Sequence, residues 1–251
     1  IVGISLSSKG LSGRLSEGLA NIPSLRVLNI SNNYLDGPLP KDLLTLSSLH
    51  TLDISNNKFS GQLSDVLLNL SSLKVLNISS NGFHGTLPYS SSLRNMTHLR
   101  HFVASNNSLN GDLPFHLCQN APFLQHLDLS SNNFSGTLST GLGMCRSLRV
   151  LDLGDNNFVG NLPQDLLYNL ISLTMLRLTN NHFDGMLDNA IGNLINLSHL
   201  MLGSNNFTGQ LPSNLSSCTN LKEFAADTNI FTGSLDIVPF NQFPMLENVD
   251  L

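Results

Sequence analysis

The stretch LRVLNISNNYLDGPLP, Leu25 to Pro40, alternates apolar and polar residues like a short strand, yet it places Asn33 where another apolar residue would be expected. Almost the same stretch returns as LKVLNISSNGFHGTLP, Leu73 to Pro88, and as LRVLDLGDNNFVGNLP, Leu148 to Pro163. Recurrence at a fixed period is typical of a repeat array, in which each copy forms one structural unit. The fold therefore depends on what one copy does and on how the copies stack.

The pattern extends over the whole chain. Its leading leucine recurs at spacings of 24 to 26 residues, at Leu25, Leu49, Leu73, Leu99, Leu124, Leu148, Leu173, Leu197, Leu221 and Leu246. A further copy, led by Ile1, precedes these. A glycine recurs twelve residues after most of the leading residues, at Gly13, Gly37, Gly61, Gly85, Gly111, Gly136, Gly160, Gly185, Gly209 and Gly233. We expect residues 1–251 to form one domain of about ten full repeats and the start of an eleventh.

The geometry of such a coil explains why a polar residue, Asn33, occupies an inward position. After a short strand the backbone must bend inside the core, where unpaired N–H and C=O groups cost roughly 1–3 kcal/mol each. An inward amide carries both donors and acceptors and can pair with them. The stacked copies predict a ladder of Asn33, Asn57, Asn81, Asn107, Asn132, Asn156, Asn181, Asn205 and Asn229, with Lys9 on the first rung.

A second inward column lies two residues beyond the ladder. It contains Leu11, Leu35, Phe59, Phe83, Leu109, Phe134, Phe158, Phe183, Phe207 and Phe231. Phenylalanines repeated at the coil period predict a structural spine of stacked rings, and the same period argues against a cofactor site built from them.

Each copy reads L-x-x-L-x-L-x-x-N-x-L/F-x-G-x-L, and this consensus resembles the leucine-rich repeat family. The form with xGxLP after the asparagine is similar to the plant-specific subclass found in receptor kinase ectodomains. The resemblance implies an α/β repeat solenoid of 24-residue repeats, a right-handed superhelix with one parallel strand per coil on the concave face and a loosely helical return.

Composition narrows the functional classes. Charged residues make up 12% of the chain and the net charge is −5, from which we expect no basic stripe and no nucleic-acid partner. No apolar run approaches the ~20 residues of a membrane span. Because the chain begins inside one strand and ends on another, we expect it to be a piece of a longer protein that carries its caps and signal segment elsewhere.

N-x-S/T sequons indicate a glycosylated, secreted protein. They occur at Asn29, Asn69, Asn77, Asn95, Asn106, Asn133, Asn196, Asn206 and Asn214. We expect the better acceptors to be those on the return segments: Asn69, Asn95, Asn196 and Asn214. Asn29 and Asn77 lie on the strand face and are less favoured as acceptors. Several sequons also coincide with the repeat consensus, so some of them are expected to carry no glycan.

The three cysteines allow one internal bridge. Cys118 and Cys145 fall at nearly equivalent return positions of adjacent coils, which can bring their Cα atoms within the ~4.4–6.8 Å of a disulfide. The alternative is that Cys145 and Cys218, which share a column, are both buried apolar thiols.

Little in the sequence favours catalysis or a cofactor. His101 and His126 share a column in successive strands, a spacing that could admit a metal or a shared proton. No cysteine or carboxylate completes a ligand set in that column, so a solvated pair is the preferred interpretation. Phosphate loops and Ser-His-Asp arrangements are absent from the sequence, and we expect neither an enzyme nor a metal site.

The concave face remains as the candidate binding surface. Its central column is predicted to contain Ser5, Asn29, Asp53, Asn77, Val103, Asp128, Asp152, Arg177, Met201, Ala225 and Asp250. Most coils carry Asn or Asp in this column, which indicates an ordinary consensus position of the repeat, stabilised by a ladder of side chains. Departures cluster from Arg177 onward. We expect a ligand patch of Met175, Arg177, His199, Met201, Glu223 and Asp227, in which Arg177 can pair with a sulfate or carboxylate and the methionines offer adaptable apolar surface.

Four segments are similar to one subgroup, the phytosulfokine receptor ectodomains: Leu6–Ser31, LPFHLCQN at Leu113–Asn120, GLGMCRSL at Gly141–Leu148, and LKEFAADTNIFTGSL at Leu221–Leu235. That resemblance implies the amino-terminal half of a receptor for a short sulfated peptide, with a co-receptor kinase as second partner. It also implies a single-pass plasma-membrane parent whose Ser/Thr kinase domain is not in this chain. In that subgroup the peptide site involves later repeats and an island, so this piece would be mainly scaffold.

The sequence is also compatible with two other functional classes. A secreted inhibitor of a cell-wall-degrading enzyme, similar to plant polygalacturonase inhibitors, would have the same coil, but cysteine-paired caps would flank its repeats. A structural adhesion module would show no ligand dependence.

Overall fold

A computed structural model describes residues 1–63, 70–87, 96–114 and 116–251. These residues include an eleven-stranded parallel sheet whose strands follow one another in chain order. The strands are Gly3–Ser5, Val27–Asn29, Thr51–Asp53, Val75–Asn77, His101–Val103, His126–Asp128, Val150–Asp152, Met175–Arg177, His199–Met201, Glu223–Ala225 and Asn248–Asp250. One strand per coil and one neighbour on each side make the chain a solenoid, as the repeat pattern predicts. We call the outward side of this sheet the concave face.

The alternation of side chains along a strand decides which residues form the core. In the second strand Leu28 is 1% exposed and the following Ile30 is 2% exposed, whereas Val27 points to solvent. The same alternation in every coil builds one continuous apolar core along the solenoid.

A second parallel sheet, of ten strands, runs beside the first. Its strands are Ser12–Arg14, Tyr34–Gly37, Lys58–Gln62, Gly82–Thr86, Ser108–Gly111, Asn133–Gly136, Asn157–Gly160, His182–Met186, Asn206–Gly209 and Ile230–Phe231. The sequence predicted only a turn here. The extended segments instead pair with their counterparts in adjacent coils, for example Leu35 with Gly13.

The recurring glycine shapes these second strands. All ten such glycines have positive φ, between 73° and 101°, a conformation that side chains with a Cβ rarely adopt. A second positive-φ position precedes the ladder asparagine in each coil, for example Asn32 at 54° and Asp155 at 55°. Asn and Asp tolerate this left-handed conformation better than other non-glycine residues.

The asparagine ladder forms as predicted. The side chain of Asn156 accepts the backbone N–H of Phe134 at 2.9 Å and donates to the carbonyls of Leu129, Leu153 and Gly154 at 3.0, 3.2 and 3.0 Å. The same four-bond set recurs at Asn57, Asn81, Asn107, Asn132, Asn181, Asn205 and Asn229. Each amide thereby joins the bend of its own coil to the bend of the preceding one.

The aromatic spine is also confirmed. Phe134, Phe158, Phe183, Phe207 and Phe231 stack in succession with ring centroids 6.0 to 6.2 Å apart and interplanar angles of 7° to 13°. The first four of these rings are fully buried. The spine therefore belongs to the structural core.

The return segments in the described part of the chain are short helices, as a loosely helical return predicts. Those of 3-10 type are Glu17–Asn21, Lys41–Thr45, Thr140–Met144, Asn189–Asn193, Ser213–Ser217, Leu235–Ile237 and Phe240–Gln242. Those of α type are Leu117–Asn120 and Gln164–Asn169.

Candidate functional site

The concave face presents its side chains in registered columns. The central column pairs residue by residue from Ser5 to Asp250, as the sequence alignment of coils predicted. A second column lies two residues earlier in each strand. It contains Gly3, Val27, Thr51, Val75, His101, His126, Val150, Met175, His199, Glu223 and Asn248. We call these the central column and the leading column.

The Asn and Asp residues of the central column cap local turns. Oδ1 of Asp53 accepts the backbone N–H of Ser55 at 3.1 Å and its hydroxyl at 2.7 Å. Asp128 holds Ser130 in the same way, at 3.0 and 2.7 Å. Because the acceptor and donor are two residues apart, these are Asx turns within one coil. Side-chain contacts between coils also occur in this column: Asp128 accepts the hydroxyl of Ser105 at 2.8 Å, and Asp152 pairs with Arg177 at 3.4 Å.

Arg177 is placed on the concave face, but its guanidinium is engaged. It donates to Asp155 at 2.9 Å and to Asp152 at 3.4 Å, both in the preceding coil. The guanidinium lies over Gly154, where an added Cβ would be 3.1 Å from Cζ of Arg177. Glycine at this position, where the six preceding coils carry serine, therefore makes room for the arginine.

Asp152 is the least exposed member of this cluster, with 16% of its side chain accessible. Burial raises the pKa of its carboxyl, and the N–H of Gly154 and the charge of Arg177 oppose that rise. The cluster of one arginine and two aspartates is net negative when all three are ionised, so an anion can pair with Arg177 only through the guanidinium donors that the two carboxylates leave unused.

The other predicted patch residues lie together beside Arg177. Met175, His199 and Glu223 are neighbours in the leading column, and Met201 follows Arg177 in the central column. All are half-buried. Nδ1 of His199 is 2.8 Å from the hydroxyl of Ser198.

Asp227 lies two residues after Ala225 of the central column, and its carboxylate lies over Gly203 of the preceding coil. This repeats the arrangement of Arg177 over Gly154, with glycine again in place of serine. The hydroxyl of Thr228 donates to Asp227 at 3.1 Å.

His101 and His126 are also neighbours, with ring centroids 5.9 Å apart and planes inclined by 48°. The pKa of His101 is lowered by burial, by His126 and by Arg100. Among the residues that the structure describes, no three His, Cys, Asp or Glu side chains are grouped as metal ligands.

The cysteines take two states. Cys118 and Cys145 form a disulfide with their Cα atoms 4.8 Å apart. Cys218 is a free, fully buried thiol, and burial raises its pKa to about 11. Of the two sequence interpretations, the buried-thiol one applies to Cys218.

The sequons differ in exposure. Those whose asparagine is exposed are Asn106, Asn133, Asn196, Asn206 and Asn214. Asn29 and Asn77 are half-buried on the concave face, and Oδ1 of each accepts from the serine two residues later. Asn69 and Asn95 lie outside the described residues.

The Leucine Rich Repeat family model matches the chain at residues 24–46, 48–70, 72–93, 123–145, 147–169, 172–194 and 196–218. These segments cover more than half of the sequence. The chain belongs to the leucine-rich repeat family.

Solved structures of plant receptors share the fold over nearly the whole chain. The plant peptide hormone receptor RGFR1, in complex with RGF2, is 27% identical with a TM-score of 0.91 over 98% of this chain and 38% of its own. The ectodomain of the membrane receptor kinase GASSHO1/SCHENGEN3 from Arabidopsis thaliana, in complex with CASPARIAN STRIP INTEGRITY FACTOR 2, is 26% identical with a TM-score of 0.86 over 100% of this chain and 32% of its own.

The Arabidopsis receptor kinase HAESA, in complex with the peptide hormone IDA and the co-receptor SERK1, is 30% identical with a TM-score of 0.76 over 92% of this chain and 42% of its own. The chain thus spans roughly a third to two fifths of the length of these receptor chains. In the part of the chain that the structure describes, no helix has the length and apolarity needed to cross a bilayer.

Proposed function

We propose that the chain is part of the extracellular ligand-recognition ectodomain of a single-pass plant receptor kinase, and that the ligand is a small secreted peptide. The observation that carries the proposal is the concave face, where side chains of the registered columns remain accessible along the whole solenoid. Likeness to receptors solved with peptide hormones supports it. The phytosulfokine-like segments of the sequence favour a tyrosine-sulfated peptide.

Within this proposal the patch of Met175, Arg177, His199, Met201, Glu223 and Asp227 borders the peptide site. Arg177 has five N–H donors and uses two of them on Asp152 and Asp155. The two carboxylates orient the guanidinium, and its remaining donors can bind a sulfate or carboxylate. Met175 and Met201 supply adaptable apolar contact beside it.

The proposed partners beyond the peptide are a co-receptor kinase ectodomain and N-linked glycans. HAESA was solved with the co-receptor SERK1, which supports a co-receptor for this chain. The exposed sequons are the proposed glycan sites.

Calorimetry on the complete ectodomain tests the proposal, with phytosulfokine in its tyrosine-sulfated and unsulfated forms. We expect the sulfated form to bind more tightly, and the pair His199→Ala with Met201→Ala to weaken it at least tenfold, about 1.4 kcal/mol. His98→Ala with Met144→Ala is the matched control, because it removes the same residue types from exposed return positions. Arg177→Ala is measured with its melting temperature, since its ion pairs contribute to folding.

Unchanged affinity of the His199 and Met201 variant for the peptide would mean that the patch has a structural role and does not bind the ligand. An ectodomain that binds neither peptide and instead inhibits a polygalacturonase would favour the secreted-inhibitor class. Absence of both activities would favour a structural module.

A further inference from the structure

A row of basic side chains lies along one edge of the concave face, just before the strands begin. Adjacent members are joined by backbone hydrogen bonds, for example from the N–H of Lys74 to the carbonyl of His50 and from the N–H of Arg100 to that of Lys74, each at 2.8 Å. The row continues through Gln125 to Arg149 in the same way. We call Arg26, His50, Lys74, Arg100, Gln125 and Arg149 the basic row.

Within the described part of the chain, no carboxylate lies in an ion pair with the cations of this row. Arg26, Lys74, Arg100 and Arg149 are exposed. The ion pairs formed between two described residues join Arg177 to its two aspartates, and none of them involves one of these four cations. An acidic chain of net charge −5 therefore concentrates four of its 12 Lys and Arg residues, unpaired, along one edge.

The surface beside the row carries no carboxylate. It is the leading column from Val27 to Val150: Val27, Thr51, Val75, His101, His126 and Val150. The nearest acidic column is one step further, where Asp53 and Asp128 are held by Ser55 and Ser130. The row and this column together form a cationic rim beside a floor of valine, threonine and imidazole.

We propose that the basic row and this floor bind an acidic, extended segment of the peptide ligand. The inference rests on the proposed peptide-receptor function and adds the chemistry of the ligand. Arg26 and Arg149 are five coils apart, which at ~4.8 Å per parallel strand corresponds to ~24 Å. An extended peptide advances ~3.3 Å per residue, so about seven residues span the row.

An extended peptide matches both parts of the surface. Its side chains alternate between two sides. Carboxylates on one side reach the rim cations, while apolar side chains on the other pack on Val75 and Val150. An acidic polysaccharide would use the cations and leave the valines without a partner.

The test uses the complete ectodomain and two labelled octapeptides, alternating Glu-Val and alternating Gln-Val, in fluorescence anisotropy. We expect the Glu-Val probe to bind at least tenfold more tightly than the Gln-Val probe. The variant Arg100→Gln with Arg149→Gln should abolish this preference. The matched control is Lys41→Gln with Arg146→Gln, which removes the same charge from exposed return positions and should keep the preference. Melting temperatures verify that both variants fold.

Three results would overturn the inference. Equal loss in both variants would mean that total charge, and not the row, attracts the acidic probe. Equal affinity of the wild type for the two octapeptides would mean that the row does not select acidic peptides. Tighter binding of an oligogalacturonate that competes with the Glu-Val probe would identify an acidic polysaccharide as the occupant. Each of these outcomes is distinguishable from failure of the proposed function, which requires that neither phytosulfokine peptide binds.

Discussion

Asparagine and aspartate have two separate roles in each coil, decided by position. At the ladder position the amide is indispensable, because it must both donate and accept: Asn156 pairs with one N–H and three carbonyls. In the central column only an acceptor is needed, so Asp53 and Asn29 are interchangeable there. This explains why the ladder contains asparagine alone from Asn33 to Asn229, while the central column mixes both residues.

Asn156→Ala should destabilise the protein by roughly 1–3 kcal/mol, because it leaves a buried N–H and buried carbonyls unpaired. Thermal unfolding measures the effect. Ser217→Ala is the control, an exposed return residue outside the sequons. A melting shift equal to that of the control would contradict the role assigned to the ladder.

The pH dependence of Asp152 is a second test at this scale. A carboxyl whose pKa is raised by folding opposes folding when it ionises, so its cost is absent below the unfolded pKa of about 3.9 and full above the folded pKa. Asp152→Asn removes this cost. We expect its melting temperature, relative to wild type, to rise as the pH increases from about 3 to 7. A melting temperature of Asp152→Asn that stays constant or falls relative to wild type over this range would contradict the expectation.

The second sheet shows which elements a sequence pattern reveals and which it does not. The first sheet is visible because its strands alternate buried and exposed residues. The strand Tyr34–Gly37 ends at a glycine and looks like a turn. It becomes a strand only because the equivalent segments of adjacent coils pair with it, and those lie more than twenty residues away. Because this pairing depends on residues of other coils, the sequence of the segment itself does not indicate a strand.

The bridge between Cys118 and Cys145 joins two successive return segments. Intact-mass analysis of the secreted protein after alkylation under denaturing, non-reducing conditions should find one free thiol, Cys218. Under native conditions that thiol should be alkylated slowly near neutral pH, because it is buried and its pKa is about 11. Three alkylated thiols would contradict the bridge.

Cys118→Ser with Cys145→Ser should lower the free energy of unfolding by about 2–4 kcal/mol, since the bridge closes a loop between residues 27 apart. Cys218→Ser is the contrasting variant, because it places a hydroxyl in a buried site without opening a loop. Denaturant unfolding compares the two. Identical stability of the double variant and the wild type would show that the bridge does not support the fold.

For the molecule as a whole, the repeat period was enough to predict the coil, the ladder, the spine and the registered columns. It could not predict how charges are distributed. Net charge averages over the whole surface, so the unpaired basic row was missed and the expectation of no basic stripe is wrong for that edge. Nor could the repeat period predict that Arg177 pairs with two aspartates, because these come from the preceding coil.

Glycan placement is a prediction at the same scale. Asn196 and Asn214 are exposed on return segments, whereas Asn29 and Asn77 are half-buried among the columns. Glycopeptide mass spectrometry of the secreted protein should find higher occupancy at the first pair. Such glycans would leave the concave face open to a ligand. Higher occupancy at the second pair would contradict both expectations.

The ladder also gives the solenoid a direction. The side-chain oxygen of Asn57 accepts the N–H of Leu35, and that of Asn156 accepts the N–H of Phe134, so each coil obtains this acceptor from its successor. Protein synthesis delivers coils in this same order. The N–H groups of Ile30, Asn32 and Asn33 also donate to carbonyls of the next coil. A coil that has just left the ribosome therefore lacks the protein partners of several bend N–H groups until about two dozen further residues emerge, and each arriving coil completes the one made before it. Folding can then advance with translation, one coil behind the newest segment.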